Sequence, residues 1–450
     1  MSSFQMVSFK PDSALKEDEV VLSEKVRKDL GIIDQGRVKL RVGRNTTVFN
    51  TIRIDRDENT ARLSLRPTLL KKLHLNSSKL YGINYREGEI AIGPVVGIMI
   101  RLYASKSKPF GPQTFFFKQL MDAANQLGQI CFAFAPTNII WNRKAVYGYT
   151  YRNDQWVRDY FPIPDVVYPR LQKYDLGIRK LRQKLEKMGV VFFSPFVIGK
   201  WEVHRIISQS PLKNYVPDTR LIKNLSQVEP MIKKYRVLYL KPVHGSQGRN
   251  IIRVAKKNNS SSYQYQYQLN NKLYRGTAAG LVNLRRALRP VMGKRAYLMQ
   301  NRIDLLNYEG SVMDVRIVAQ KDHTGRWGVT GMAYRIGRPG NITSNISAGG
   351  AAKNVLVMLE KFFPDKQERM RIVEEIKDLS VKAAQTLEEK IGPTGEMGID
   401  IGVDKDGKVW FIEANLRPAR QVFTLMGDTA TRLKSVENPM LYCRYLAGFR

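Results

Sequence analysis

The chain has 450 residues, 43% apolar and 10% aromatic, enough to bury substantial cores and to exclude a disordered or fibrous polypeptide. Seventy-four Lys and Arg against 40 Asp and Glu leave a net charge of +34, which suits polyanionic partners: nucleotide phosphates, nucleic acid, acidic polymers or an anionic surface. Two cysteines far apart, Cys131 and Cys443, exclude a disulfide scaffold and a cysteine zinc site, and the four histidines show no metal-ligand spacing.

The longest apolar run, Ile90 to Ile100, is half of the roughly 20 residues that span a bilayer. No apolar signal core follows a basic start at the N-terminus. The expectation is a soluble protein made without a signal peptide in a reducing cytoplasm, with no transmembrane segment. Length alone suggests about three domains.

Residues 1–95 read as a small β-rich domain. RVKLRVGRNTTVFNTIRIDRDENTARLSL holds three β-branched and apolar runs punctuated by Gly, Asn and Asp, and LRPTLLKKLHL suits one short helix. Residues 96–195 read as an α/β domain. VVGIMI and ICFAFAP are buried strands around the helix TFFFKQLMDAANQLG. Alternation about Asn153-Asp154 predicts a hairpin, and KYDLGIRKLRQKLEKMG is an amphipathic helix. Residues 196–450 read as an α+β mixture. KWEVHRIIS and AAGLVNLRRALR are short helices, and RIVEEIKDLSVKAAQTLEEKIG keeps a 3.6-residue apolar period from Ile372 to Ile391.

Three constellations carry chemistry. In EMGIDIGVDKDGKVWFIEAN, Asp406-Gly407 favours a two-residue type I′ hairpin loop. That loop would pair Lys405 with Lys408, Ile401 with Ile412, Val403 with Trp410, and Asp400 with Glu413. Asn415 would project the same way, and Gly398 and Gly402 would leave open space above Asp400. Opposed carboxylates repel unless a cation lies between them. Two carboxylates and an amide oxygen are ligands that Mg²⁺ accepts, and a bridging Lys or Arg would serve equally. In VLYLKPVHGSQGRNIIRVA a strand delivers Lys241, and Gly245 and Gly248 leave the backbone able to cradle phosphate. An ordinary glycine-containing hairpin fits the same residues. In SVMDVRIVAQKDHTGRWGVTGMAYRIGRPGNITSNISAGG, Arg316 stands inside an alternating strand and needs an anion, with Asp314 the nearest candidate. Arg335 follows a second strand, and Asn345, Gly349 and Gly350 close a polar loop.

Taken in order over residues 196–425, these pieces resemble the ATP-grasp superfamily. The family's helix-opening lysine corresponds to Lys200 in GKWEVH, and its strand lysine before a glycine-rich flap to Lys241 in LKPVHGSQG. YLMQNRID stands for the hinge, Asp314-Val315-Arg316 for the D-x-R strand, and Asp400, Glu413 and Asn415 for the metal triad. The resemblance implies an ATP-grasp fold preceded by the β-rich and α/β pre-ATP-grasp domains. Lys200 and Lys241 would hold the α- and β-phosphates. A flap of Gly245, Ser246, Gln247 and Gly248 would close over the β/γ-phosphates. Met299 and Gln300 would offer backbone to adenine, and Asp304 would meet the ribose. Arg316, Arg335 and Asn345 would be catalytic, the two arginines neutralising the transferring phosphoryl group. Asp400, Glu413 and Asn415 would coordinate Mg²⁺, or Mn²⁺ in its place. Gln300 departs from the acidic hinge residue of many relatives, which leaves backbone contacts to adenine intact.

The stretches FAFAPTNIIWNRKAVYGYTY, PDVVYPR and FIEANLRPAR are further similar to endospore coat-associated ATP-grasp proteins, the YheC/YheD-like group, and the length resembles its longer, YheD-type branch. That likeness implies sporulation and a place at the spore coat. The expected function is an ATP- and Mg²⁺-dependent carboxylate–amine ligase acting through an acyl phosphate on small-molecule or peptide substrates. A structural coat protein that keeps an ATP site is the alternative. From Pro230 to Ile303 sixteen Lys or Arg occur without one Asp or Glu, more than a nucleotide needs, which points to an acidic second partner. Nucleic acid, stacking on Tyr263, Tyr265 and Tyr267 beside Lys256, Lys257, Lys272 and Arg275, is the weaker reading.

Overall fold

Four β-sheets follow one another along the chain. In the computed structural model, residues 4–449 are described apart from 33–36, 58, 104, 106, 172–173, 196–197, 246–247, 257–259, 271, 341–343 and 345–348. The expected Ser246, Gln247, Asn345 and Lys257 lie outside the described residues.

The first sheet has eight strands between Phe4 and Ile92, and the second has seven between Val95 and Phe192. The apolar run Ile90–Ile100 is divided between them. Strand Glu89–Ile92 closes the first sheet, whereas Val95–Met99 lies inside the second, parallel to Ile130–Phe134 and Val166–Pro169. The β-rich segment holds four strands rather than the three expected, because Asn45–Phe49 and Thr51–Asp55 separate at Asn50. Asn153 and Asp154 both take positive φ, 48° and 57°, and form the two-residue turn of the expected hairpin. Val7, Leu22 and Ile83 from the first sheet share one core with Phe132, Phe134 and Val167 from the second.

The third and fourth sheets hold the cavity between them. The third orders its strands Thr219–Ile222, Tyr297–Asn301, Val237–Pro242, Ile252–Lys256, Ser262–Leu269 and Lys272–Ala279. Helices Val228–Tyr235 and Gly280–Met292 pack on it through Met231, Ile232, Leu284 and Leu288. The fourth runs Ala351–Lys353, Trp327–Ile336, Ser311–Lys321, Glu396–Val403 and Val409–Asn415, with Asn307–Tyr308 beside Ser311. Helix Lys366–Ile391 covers it with Ile372, Ile376, Leu379, Ala383 and Leu387, the periodic residues of its sequence. Asp365 caps that helix by accepting from the N–H groups of Gln367 and Glu368.

The last helix, Thr429–Leu446, bridges the fourth and second sheets: Gln320 donates to its Ser435 carbonyl at 2.8 Å, and its Asn438 donates to Thr330 at 3.0 Å. Val436, Met440, Tyr442 and Cys443 enter the core of the second, against helix Thr114–Gln126. Gln129 donates to the Met440 carbonyl at 2.8 Å, and Asn84 to that of Gly448 at 2.8 Å. Glu396 is fully buried at the same junction. It accepts from Tyr168, Arg420, Arg170 at 3.4 Å and Gln320 at 3.1 Å. Removing its charge strands two buried guanidiniums. Glu396→Gln is therefore expected to cost about 3–5 kcal/mol, read as a lowered urea midpoint at unchanged slope.

Candidate functional site

Charge alternates across the fourth sheet because its register puts unlike residues opposite one another. Asp314 faces Arg335, Arg316 faces Asp400, and Asp400 faces Glu413 on the next strand. Arg335 donates to Asp314 through Nε at 2.7 Å and Nη2 at 2.5 Å, and its Nη2 lies 2.8 Å from Asp400 Oδ2. Arg316 grips Asp400 through Nε at 2.6 Å and Nη2 at 3.2 Å. Arg316 thus takes Asp400, across the sheet, rather than the neighbouring Asp314 offered by the sequence. Burial pushes the Asp400 carboxyl up, but Arg316 and Arg335 together outweigh it and hold the group below its ordinary value. Burial likewise works against the Arg335 charge, and Asp314 and Asp400 overcome it, leaving the guanidinium protonated at any working pH.

The Asp400–Glu413 pairing is present, although the hairpin differs from the expected one in two places. Asp404 N donates to Lys408 O at 3.0 Å, so the turn holds three residues, with Gly407 at φ +73°. Lys405 therefore does not pair with Lys408. The Asp404 carboxylate favours the longer turn by accepting from the N–H groups of Asp406 and Lys408 and from Trp410 Nε1. Ile401 then faces Phe411, and Val403 faces Val409, rather than Ile412 and Trp410. A bulge past Asp400 absorbs the extra residue and restores Asp400 opposite Glu413. The space over the two glycines is filled, not open. A Cβ on Gly398 would lie 3.1 Å from Pro418 Cβ, and one on Gly402 would lie 2.4 Å from Leu305 Cδ2.

Lys200 opens helix Lys200–Ser208 and pairs with Glu413, linking the helix to the carboxylate pair. Lys241, on strand Val237–Pro242, donates to Gln300 Oε1 at 2.5 Å, and Gln300 Nε2 donates to Thr219 Oγ1 at 3.0 Å. Burial first, then the charge of Lys200, lowers Lys241 to about 8. Gly245 and Gly248 follow at φ +151° and +66°. Met299 and Gln300 lie inside the sheet, flanked by strands on both sides, and Asn301 and Arg302 still give their N–H groups to Asp218 and Val237. Asp304 stands just beyond, exposed and 2.9 Å from Arg302.

A cavity of about 660 Å³ joins most of these residues, but Lys200, Gly245, Met299 and Asp304 do not line it. Lys241, Gly248 and Gln300 line it from the third sheet, and Asp314, Arg316, Arg335, Asp400, Glu413 and Asn415 from the fourth. Tyr239, Arg253 and Arg417 also line it and escape the sequence reading. Tyr239 was within reach, since the alternation that exposes Lys241 puts it on the same strand face. Tyr263 and Tyr267 are buried, which withdraws two rings from any base-stacking platform. The surplus cations Arg285, Arg286 and Arg289 are exposed on helix Gly280–Met292.

The donor set suits a hard divalent cation. Asp400, Glu413 and Asn415 supply oxygens from adjacent strands, Asp400 opposite Glu413 and Asn415 opposite Gly398. Asp400 Oδ1 accepts one bond, from Arg316, and Asn415 Oδ1 one, from the Arg417 N–H at 3.0 Å, so each keeps a lone pair. Among the described residues no cluster of three His, Cys, Asp or Glu forms an alternative metal site. No helix among them is long and apolar enough to cross a membrane.

Known proteins resemble the chain over most of its length. The chain is 28% identical over 398 residues to the endospore coat-associated protein YheD of Bacillus subtilis (strain 168), covering 85% of each chain. It is 24% identical over 341 residues to the endospore coat-associated protein YheC of the same organism, covering 73% of this chain and 91% of that one. Among solved structures, D-cycloserine synthetase DcsG aligns at 11% identity with a TM-score of 0.46, over 77% of this chain and 99% of that one. Residues 189–446 match the family described as YheC/D like ATP-grasp, more than half of the chain. The chain belongs to the YheC/D-like ATP-grasp family.

Proposed function

We propose that this protein is an ATP- and Mg²⁺-dependent carboxylate–amine ligase that works at the spore coat. One observation carries the reading: Lys241, Arg316 and Arg335 line a single cavity of about 660 Å³ from two sheets, with Asp314, Asp400 and Glu413 beside them, and Lys200 on its helix pairs with Glu413. We further propose a division into units 1–95, 96–195 and 196–450, the last helix of the third docking on the second.

In the reaction, a substrate carboxylate oxygen bonds to the γ-phosphorus of ATP as the bond to the β,γ-bridging oxygen breaks, and ADP leaves with that electron pair. An amine nitrogen then bonds to the acyl carbon, phosphate departs with the C–O pair, and the nitrogen gives up a proton. Such transfers need positioning and charge neutralisation more than a covalent protein nucleophile. Lys200 and Lys241 hold phosphate oxygens, and the Gly245–Gly248 loop, with Ser246 and Gln247, covers them. The end of the Tyr297–Asn301 strand, from Met299 and Gln300 to Asp304, receives the nucleoside. Arg316 and Arg335 keep Nη1 groups uncommitted to their carboxylates and direct them at the moving phosphoryl group; a catalytic role for Asn345 follows from the family resemblance alone. Asp400, Glu413 and Asn415 would hold Mg²⁺, which when bound neutralises phosphate oxygens as a Lewis acid.

A second reading, a coat assembly protein with an idle nucleotide site, draws on the closed pairs Lys200–Glu413 and Arg316–Asp400, which satisfy the site without any ligand. Phosphate release with Mg-ATP across a panel of carboxylates and amines separates the two. The ligase should show substrate-stimulated release that Lys241→Ala and Glu413→Ala each lower by about 10²-fold or more. Release equal in wild type and both variants would sink the ligase reading. Tight ATP binding with no stimulation by spore extracts would favour the assembly protein.

A further inference from the structure

Beside the metal end of the cavity lies a group of arginines with too few anions. Arg170 follows strand Val166–Pro169, Arg417 and Arg420 follow Val409–Asn415, and Arg432 comes from the last helix. Three of them gather on one ring: the Arg170, Arg420 and Arg432 guanidiniums lie 5.1, 4.6 and 5.7 Å from the centre of Phe116. Arg417 lies 5.9 Å from the ring centre of Tyr174 and lines the cavity that holds Glu413 and Asn415.

Glu396 is the only carboxylate among the described residues that pairs with this group, and it is spent on Arg170 and Arg420. Arg420 is further committed to the Ser435 and Pro418 carbonyls at 3.0 and 3.2 Å. Arg170 also donates to Gln113 at 3.3 and 3.1 Å, Arg432 donates to the neutral Gln119, and Arg417 meets the neutral Tyr174 but has no ion-pair partner among the described residues. Both cations are half-buried, and at Arg432 burial, then the charge of Arg420, lowers the guanidinium to about 10. Four cations against one carboxylate leave a local excess of three, in a place partly closed to water, where a cation without a partner is costly. An arginine fork fits a carboxylate or a phosphate in two-point contact.

We propose that Arg417, the member of the group that lines the cavity, receives a second anionic group of the acyl substrate, backed by the charge of Arg432 and Arg170, so that the substrate carries one carboxylate for activation and another carboxylate or phosphate for anchoring. The proposal rests on the ligase reading of the adjoining cavity. It assigns part of the positive excess to substrate choice: neutral and monoanionic acids lack the anchor, and acidic peptides or phosphorylated acids have it.

Binding calorimetry on the full chain tests this with three probes: tri-glutamate, tri-glutamine and a phosphoserine-glycine-glycine peptide. Each is titrated with and without Mg²⁺ and a non-hydrolysable ATP analogue. Tri-glutamate or the phosphopeptide should bind at least about tenfold tighter than tri-glutamine. The stronger of the two identifies the anion as carboxylate or phosphate. Arg417→Gln and Arg432→Gln should each erase about tenfold of that preference, Arg432→Gln with nucleotide affinity changed less than twofold, and Arg417→Lys should restore only part. Equal affinity for all three probes, or an anionic preference intact in both glutamine variants, overturns the subsite. Loss of nucleotide binding in the wild type overturns the ligase reading instead. The nucleotide-free titrations then still decide the subsite.

Discussion

Asp400→Ala should cost about 3–5 kcal/mol of stability and abolish substrate-stimulated phosphate release, because the carboxylate is both an oxygen donor and the counter-ion of two arginines held in the sheet. A companion separates these roles. Arg316→Met combined with Asp400→Leu removes the pair together and leaves Arg335 its own partner, Asp314. Replacing both members of a buried pair with apolar groups is often neutral or better. The double variant should therefore recover most of the urea midpoint while remaining inactive. A single variant with the wild-type midpoint would show that the arginines do not depend on Asp400.

Nucleotide affinity should decline as pH rises past about 8, because Lys241, held at about 8 by burial and by Lys200, then loses the charge that meets phosphate. Above that point each pH unit should weaken binding by up to about tenfold. Calorimetry in two buffers of different ionisation enthalpy should reveal proton uptake on binding at pH 9, absent in Lys241→Met. Stability moves the other way. A lysine at about 8 when folded and 10.5 when unfolded binds fewer protons in the folded state between those values. Stability should thus rise with pH across that window, and the burden of burying the charge is felt in full below about 8. Lys241→Met should accordingly stabilise the protein at pH 7, with the gain shrinking toward pH 10.5. A pH-independent gain would mean that the lysine's packing, not its charge, is what matters.

The carboxylate pair was legible in the sequence because Asp-Gly marks a turn and alternation does the rest, and yet it was reached through two departures that cancel. The turn is one residue longer than expected, and the bulge at Ile412 takes that residue back. Nothing in the local pattern reveals a bulge, which shows only in the register of the paired strands. Periodic helices such as Lys366–Ile391 were readable for the opposite reason: one face meets the core and the other meets water. Thr429–Leu446 was not read as a helix, because it meets protein on several sides, shows no polar stripe and carries Pro439. The partner of Arg316 was unreadable as well. Asp314 is two positions away and on the same strand face, while Asp400 is 84 residues on. The arginine group around Phe116 draws on three distant segments, and only the fold brings them together.

The return of the last helix to the second sheet orders events in time. During synthesis the segment 95–192 leaves the ribosome long before residue 429, with Phe117, Leu120 and Ala133 lacking the helix that later covers them. Until residues 420–440 arrive, Gln129 has no Met440 carbonyl to meet, and Glu396 has Tyr168 and Arg170 but no Arg420. Early parts of the molecule must therefore wait, partly unsealed, for a segment made more than 200 residues later. The subsite arginines are complete only when that helix has docked, so an unfinished chain cannot present a finished site.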